Sequence, residues 1–209
     1  MSRLSKICLA SLRANWIYLL IVVVTYGFGC VLGVLALDYL KADQAGELNE
    51  YLNMFIEQAG GLSIDAQQAV KSSTINNLSV IVVIYLLGLT VIGIPMILLL
   101  LFVRGFAIGF AIGFLTKQKA WQGVILALVS ILPHNFFYVP ALLIATVASL
   151  SFSVLLVKRF FNSKLAIWPS FIGYNLILLA VCAVAVGASF VETYLTPYLI
   201  KSTAAMFGG

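Results

Sequence analysis

Long apolar runs separated by short polar segments make up most of the chain. The first run, Trp16 to Leu37, holds about 22 uncharged residues and follows a basic amino terminus. A helix rises about 1.5 Å per residue, so a run of this length spans a hydrocarbon core of about 30 Å. A cleaved signal peptide also has a basic start, but this run is too long, lacks an Ala-x-Ala site and precedes further apolar runs. The pattern therefore predicts a retained membrane anchor.

A second apolar stretch, Leu78 to Leu115, is too long for one crossing. As a single helix its roughly 38 residues would extend about 57 Å, nearly twice the hydrocarbon core. Gly93-Ile94-Pro95 supplies a break, because glycine frees the backbone and proline lacks the donor that a continuing helix needs. The pattern predicts crossings at about 76–93 and 95–115.

The run from Gln122 to Val157 poses the same problem, with prolines at Pro133 and Pro140. A break at Leu132 to Asn135 leaves pieces of about 11 and 18 residues, the first too short to span comfortably. We expect one net crossing with a broken or re-entrant half that is shielded by protein. Two short full crossings are the alternative.

A last apolar run, about 167–190, completes the membrane pattern. We therefore predict an all-α fold, a polytopic helical membrane protein with about five crossings and broken or re-entrant helices. We also expect residues 1–209 to form a single integral membrane domain. With five crossings the carboxyl terminus lies outside, and with six it lies inside.

The one substantial polar segment, about 38–74, holds six of the seven acidic residues. Cytoplasmic loops favour Lys and Arg, and the basic amino terminus precedes the first crossing. The amino terminus is therefore expected in the cytoplasm, and this acidic loop outside. Apolar residues at three- and four-residue spacing from Leu48 to Ala59 predict an amphipathic helix. We expect the loop to bind a partner through Asp43, Glu47, Glu50, Tyr51 and Phe55.

Composition supports lipid as the solvent for this chain. Apolar residues make up 63% and charged residues 9%, with a mean hydropathy of +1.11. A soluble protein has about 25% charged residues, so a soluble fold is excluded. The net charge of +5 does not indicate nucleic acid, because the charges sit at the ends of apolar runs and act as topology signals.

Arg104 lies inside the third predicted crossing, where a charge costs about 2.5–3.5 kcal/mol on insertion scales. One interpretation is contact with a partner subunit or a polar cavity. The other is an internal bond to carbonyls freed at the Leu132 to Asn135 break. A shifted helix would let the side chain reach an interface, and then neither contact is needed.

Gly105, Gly109 and Gly113 repeat every four residues and give one helix face a smooth stripe. Such small-xxx-small patterns allow close approach of another helix, and we favour packing within the chain over dimerisation. His134, the only histidine, is interpreted as a polar residue at a helix break, together with Asn135.

Signals for catalysis or cofactors are missing from the sequence. The three cysteines are odd in number, and two lie within predicted spans as small apolar packers. Neither a phosphate loop, a dinucleotide fingerprint nor paired metal ligands appear. We predict no enzyme activity, no cofactor, no metal and no nucleic-acid partner.

The order of these segments resembles the stage II sporulation protein M family over nearly the whole chain. The segments that carry the resemblance are Leu87 to Pro95, Leu101 to Phe106, Ile108 to Phe110, Gly113 to Leu115, Val129 to Asn135, Val139 to Ala141 and Phe190 to Pro197. The Leu-Pro-x-Asn and Val-Pro-Ala segment with its preceding Gly-Phe repeat is the most specific part.

The resemblance implies a cell-membrane protein of endospore-forming bacteria, required for engulfment of the forespore. It implies a location in the mother-cell membrane at the septum, and a role in localising two peptidoglycan hydrolases. These are a lytic transglycosylase and an amidase/endopeptidase, sporulation proteins D and P. A distant relation of the family to ABC-2-type permeases leaves room for a homodimer and a cytoplasmic ATPase partner.

Two functions are therefore carried forward, a membrane scaffold and a permease-like subunit. A scaffold needs stable crossings and an exposed recognition face, which the acidic loop can supply. A transporter typically lines its path with several intramembrane ionisable groups. Arg104 is the one charged residue within the predicted crossings. An intramembrane enzyme lacks paired acids or a nucleophile with its base.

Overall fold

The structure is a computed structural model. It describes residues 16–40, 46–48, 50, 54, 66–161, 167–195 and 198. Within them the regular structure is helical, without strands. The elements are α1 (Trp16–Leu35) with a 3-10 turn (Ala36–Tyr39), α2 (Ala66–Gly88), α3 (Gly93–Phe161) and α4 (Trp168–Phe190) with a π-helical turn (Val191–Leu195).

Five helical segments are long and apolar enough to cross a membrane in the described part of the chain. They are Trp16–Tyr39, Gln68–Gly88, Gly93–Lys117, Ile131–Phe161 and Trp168–Leu195. The prediction of an all-α, multi-pass membrane protein with about five crossings is confirmed.

The break at Gly93 is also confirmed, since a four-residue turn separates α2 from α3. The amide of Thr90 donates to the carbonyl of Leu87 (3.0 Å), and that of Gly93 to the carbonyl of Thr90 (3.3 Å). A Cβ at Gly93 would overlap the Leu87 carbonyl, so the turn requires glycine there. Pro95 then occupies the first turn of α3, where its missing N–H costs nothing.

α3 folds back on itself although its 69 residues are helical throughout. A straight helix of that length would extend roughly 104 Å. Instead, the hydroxyl of Ser153 donates to the carbonyl of Thr90, three residues before α3 begins, at 2.6 Å. The two crossings within α3 therefore run in opposite directions, and the chain reverses between 117 and 131.

The reversal lies before the break that the sequence predicts at Leu132 to Asn135. Both Pro133 and Pro140 are inside α3, so the helix continues through them. The side-chain amide of Asn135 donates to the carbonyl of Ile131 at 2.7 Å, within the same part of the helix. Prolines are tolerated in membrane helices when side chains and neighbouring helices re-satisfy the backbone.

The bundle has two ends of opposite charge, which we call the acidic side and the basic side. Asp38, in the 3-10 turn after α1, pairs with Lys117 at 2.5 Å on the acidic side. This is also the side where α2 begins and where Glu192 follows α4 in the π-helical turn. Lys158 and Arg159 close α3 on the basic side. α1 and the first crossing of α3 run parallel, whereas α4 runs antiparallel to α2.

A layer of buried apolar side chains fills the middle of the bundle. Its members are 0–4% exposed and come from all five candidate crossings: Val22, Ile81, Ile84, Leu101, Leu142, Ala145, Val181 and Ala185. The outer surfaces of the same helices expose large apolar side chains, for example Leu179 at 73%. Large apolar side chains on the outside of the bundle, in addition to those inside, fit a protein surrounded by lipid.

Candidate functional site

A cluster of polar side chains joins α2, α3 and α4 near the acidic side. We call it the Glu192 cluster, and it consists of Ser73, Asn77, His134, Tyr138, Ser189 and Glu192. Asn77 and Ser189 are 4% and 0% exposed. Buried polar groups are costly unless they are hydrogen-bonded, so their partners decide whether this cluster stabilises the fold.

The hydrogen bonds between the two helices run from donors on α2 to acceptors on α4 and in the π-helical turn that follows it. The Asn77 amide donates to Ser189 Oγ (3.0 Å) and to Ser73 Oγ (3.3 Å). Ser73 in turn donates to the Glu192 carboxylate, and Ser189 donates to the carbonyl of Ala185 (3.0 Å). The donors on α2 therefore end at a carboxylate and a carbonyl on α4, and the two helices are tied together.

The tautomer of His134 follows from its surroundings. Its Nδ1 lies 3.2 Å from the carbonyl oxygen of Ala188 and 3.4 Å from Glu192 Oε2. Both of these atoms are acceptors, so Nδ1 carries a hydrogen. The ring also stacks on Tyr138 at 5.2 Å between centroids, and the Tyr138 hydroxyl donates to the carbonyl of Asn77 (3.3 Å).

Serine, histidine and an acid meet here, but not in the arrangement of a hydrolase. In a catalytic triad the histidine lies between the other two and removes the serine proton. Ser73 and His134 instead both contact the same oxygen of Glu192. The serine proton points to the acid, so the geometry suits a structural tie among helices rather than nucleophilic catalysis.

The structure places Arg104 near this cluster. Its side chain is partly buried in α3, and both Arg104 and Glu192 lie within electrostatic range of the Tyr138 hydroxyl. The internal bond to carbonyls of Leu132 to Asn135, one of the interpretations left open for Arg104, is not seen among the described residues. His134 and Asn135 lie on consecutive positions, with His134 directed to α4 and Asn135 bonded within α3.

A second polar cluster holds the α2–α3 turn on the basic side. The Tyr174 hydroxyl donates to the carbonyl of Tyr85 (2.9 Å) and lies 3.0 Å from Ser149 Oγ. The Tyr85 hydroxyl donates to Asn175 Oδ1 (3.1 Å). A Cβ at Gly88 would lie 2.8 Å from the Cβ of Ser149, so this packing also requires glycine.

The glycine stripe of α3 lies against α1. A Cβ at Gly105 would overlap the Tyr26 carbonyl, and one at Gly109 would overlap the Cys30 carbonyl. A Cβ at Gly113 would lie 2.6 Å from Cδ1 of Leu37. α1 also contributes a glycine to this contact. A Cβ at Gly33 would overlap the Phe106 carbonyl.

The predicted partner-binding residues are only partly within the described chain. Glu47 and Glu50 are helical and exposed. Leu48 and Met54 in the same segment are 37% and 41% exposed. The predicted residues Asp43, Tyr51 and Phe55 lie outside the described residues. Glu47 and Glu50 are three positions apart, which places both carboxylates on one face of a helix.

The described residues contain no group of three or more His, Cys, Asp or Glu side chains that could hold a metal ion. Sequence reasoning named His134 and Asn135 but missed the partners Ser73, Asn77, Ser189 and Glu192. The available signal was polar pairs spaced by three or four residues near the span ends, Ser73 with Asn77 and Ser189 with Glu192.

Comparison with known proteins gives one match. A family model described as stage II sporulation protein M matches residues 22–197, which is well over half of the chain. No match is found among the curated proteins or among the solved structures. The matched region includes the glycine stripe, both polar clusters and the acidic segment between α1 and α2.

Proposed function

The chain belongs to the stage II sporulation protein M family, and from that membership we propose that it is a membrane scaffold of the engulfment machinery. It is a multi-pass sporulation membrane protein. The proposed role is to recruit the two peptidoglycan hydrolases, the lytic transglycosylase and the amidase/endopeptidase, to the septal membrane of the mother cell.

A closed helix bundle with an exposed acidic segment on one side is the observation that carries the proposal. The segment at Glu47 and Glu50 presents carboxylates beside partly exposed apolar side chains. Such a mixture suits a protein partner, since charges guide association while apolar contacts hold the complex. Hydrolases of the cell wall work outside the membrane, so the proposal places this segment on the outer face.

The arrangement of polar groups favours a scaffold over the alternative, a permease-like subunit with a cytoplasmic ATPase. In the described bundle the two polar clusters lie towards opposite sides, with the buried apolar layer between them. A transport path typically contains several ionisable groups that face a cavity. Ile81, Ile84 and Leu142, each at most 1% exposed, instead occupy that level.

Charge reversal in the acidic segment tests the proposal. We expect Asp43→Lys, Glu47→Lys and Glu50→Lys together to reduce hydrolase capture about tenfold, because each lost exposed pair contributes about 0.5 kcal/mol. The remaining capture becomes less dependent on salt. Co-purification in mild detergent and hydrolase localisation at the septum are measured at equal membrane abundance.

A neutral variant controls for disturbed membrane orientation. Asp43→Asn, Glu47→Gln and Glu50→Gln remove the charges without adding lysines beside a crossing. Asp38 is left unchanged because it pairs with Lys117. Normal capture and localisation by both variants contradict recruitment through the acidic segment.

A further inference from the structure

A groove on the basic side of the bundle borders the second polar cluster at Tyr174 and otherwise lies outside both clusters. It has a volume of about 450 Å³ and lies between α1, the second crossing of α3 and α4. Its walls include Tyr18, Ile144, Ala148, Leu155 and Ile177, and its polar end carries Lys158. The walls are therefore mostly apolar, and the charged group stands at one end.

The groove has the dimensions of a lipid chain. Ile144 and Lys158 both line it and are 14 positions apart on one helix, which corresponds to about 21 Å along the axis. A volume of about 450 Å³ holds on the order of 15 groups of water size. That is enough for one acyl chain.

The positive charge of Lys158 at the polar end of the groove favours an anionic headgroup. Lys158 is exposed at the end of the groove, next to Arg159 and three residues before α3 ends at Phe161. No acidic side chain is among the described lining residues, while Ser170 adds a hydroxyl to the lining. Basic pockets between membrane helices bind anionic lipid headgroups.

We propose that this groove binds an anionic phospholipid, with one acyl chain between α1, α3 and α4 and the phosphate at Lys158. The bound lipid lies in the leaflet of the basic side and fills the lateral gap that the three helices leave open. The inference is independent of the scaffold function, because no residue of the acidic segment contributes to it.

Gly173 offers a way to close the groove without disturbing the helices. It lines the groove, and a Cβ built there meets no atom within 4 Å. Gly173→Leu therefore places a side chain into the space for the lipid. Gly187→Leu is the matched control, because Gly187 is on the same helix, is equally open and does not line the groove.

Native mass spectrometry of the purified full-length protein measures the binding. Phosphatidylglycerol and phosphatidylcholine with identical acyl chains are added in equal amounts. We expect phosphatidylglycerol adducts to exceed phosphatidylcholine adducts about fivefold, the ratio that corresponds to about 1 kcal/mol for one basic residue near a membrane surface. Gly173→Leu abolishes the excess, whereas Gly187→Leu keeps it.

Changes of the lysine test the headgroup contact without touching the groove walls. Lys158→Gln removes the preference for phosphatidylglycerol, and Lys158→Glu reverses it, while adducts of both lipids persist. Because Lys158 is exposed, these variants are informative even if Gly173→Leu fails to fold. Equal adducts of both lipids on the parent protein, or an unchanged preference in the lysine variants, overturn the proposal and indicate surface-bound lipid only.

Discussion

Individual polar side chains in this bundle are explained by their partners rather than by exposure to water. Asn77 lies in a mainly apolar helix at 4% exposure, yet both of its amide hydrogen bonds reach serine hydroxyls. Its neighbour Asn76 is exposed. Two adjacent asparagines therefore have opposite surroundings, and only the three-dimensional packing distinguishes them.

This difference predicts unequal effects of the same substitution. We expect Asn77→Leu to lower the free energy of unfolding by about 1–3 kcal/mol, because it leaves Ser73 and Ser189 without their donor. Asn76→Leu stays within about 0.5 kcal/mol of the parent. Thermal unfolding of the two purified variants in the same detergent measures the contrast, and equal losses argue against a structural role of the Glu192 cluster.

The sequence predicts the presence of intramembrane polar residues better than their pairing. His134 and Arg104 stand out because they are titratable within apolar runs. Glu192 follows the last run and is interpreted as its end, yet the π-helical turn at Val191–Leu195 directs it to His134 and Ser73. No periodicity in the sequence marks this π-helical turn.

Among the helices, α1 and the first crossing of α3 are held by interlocking small residues. The glycine stripe and Gly33 bring the two backbones into contact, and a Cβ at Gly109 would overlap the Cys30 carbonyl. In lipid no hydrophobic effect drives helices together, so such close packing supplies much of the attraction.

A bulky residue in the stripe separates these helices. We expect Gly109→Leu to lose most of the folded, monodisperse protein, whereas Gly187→Leu retains it because its Cβ meets open space. Fluorescence size-exclusion chromatography in mild detergent compares the two at matched expression. A Gly109→Leu protein that stays stable but runs at half the parent mass would show that the stripe joins two copies instead.

The sequence predicts a helix boundary correctly where one residue type requires it. The prediction fails where packing between helices decides the boundary. Gly93 and Pro95 fix the turn before α3, because that turn admits no Cβ at Gly93. Pro133 suggests a break by the same reasoning. The helix nevertheless continues through it, and His134 in the same turn contacts α4 at the carbonyl of Ala188.

The whole molecule is a bundle with chemically different ends. Five candidate crossings place the end of α4 on the acidic side and the start of α1 on the basic side. The positive-inside rule predicts that the basic side faces the cytoplasm. Scaffold and permease then differ in which end of the bundle meets a protein partner, the acidic segment or the basic side.

Photo-crosslinking in sporulating cells distinguishes the two ends in a single experiment. A photoreactive residue is placed at Leu48 in the acidic segment, or at Phe160 near the end of α3, which is 86% exposed. Both positions are exposed and outside the polar clusters. Crosslinked partners are then identified by mass spectrometry. We expect the lytic transglycosylase or the amidase/endopeptidase to be captured from Leu48 and neither from Phe160. Capture of an ATPase from Phe160, with no hydrolase from Leu48, contradicts the scaffold and supports the permease.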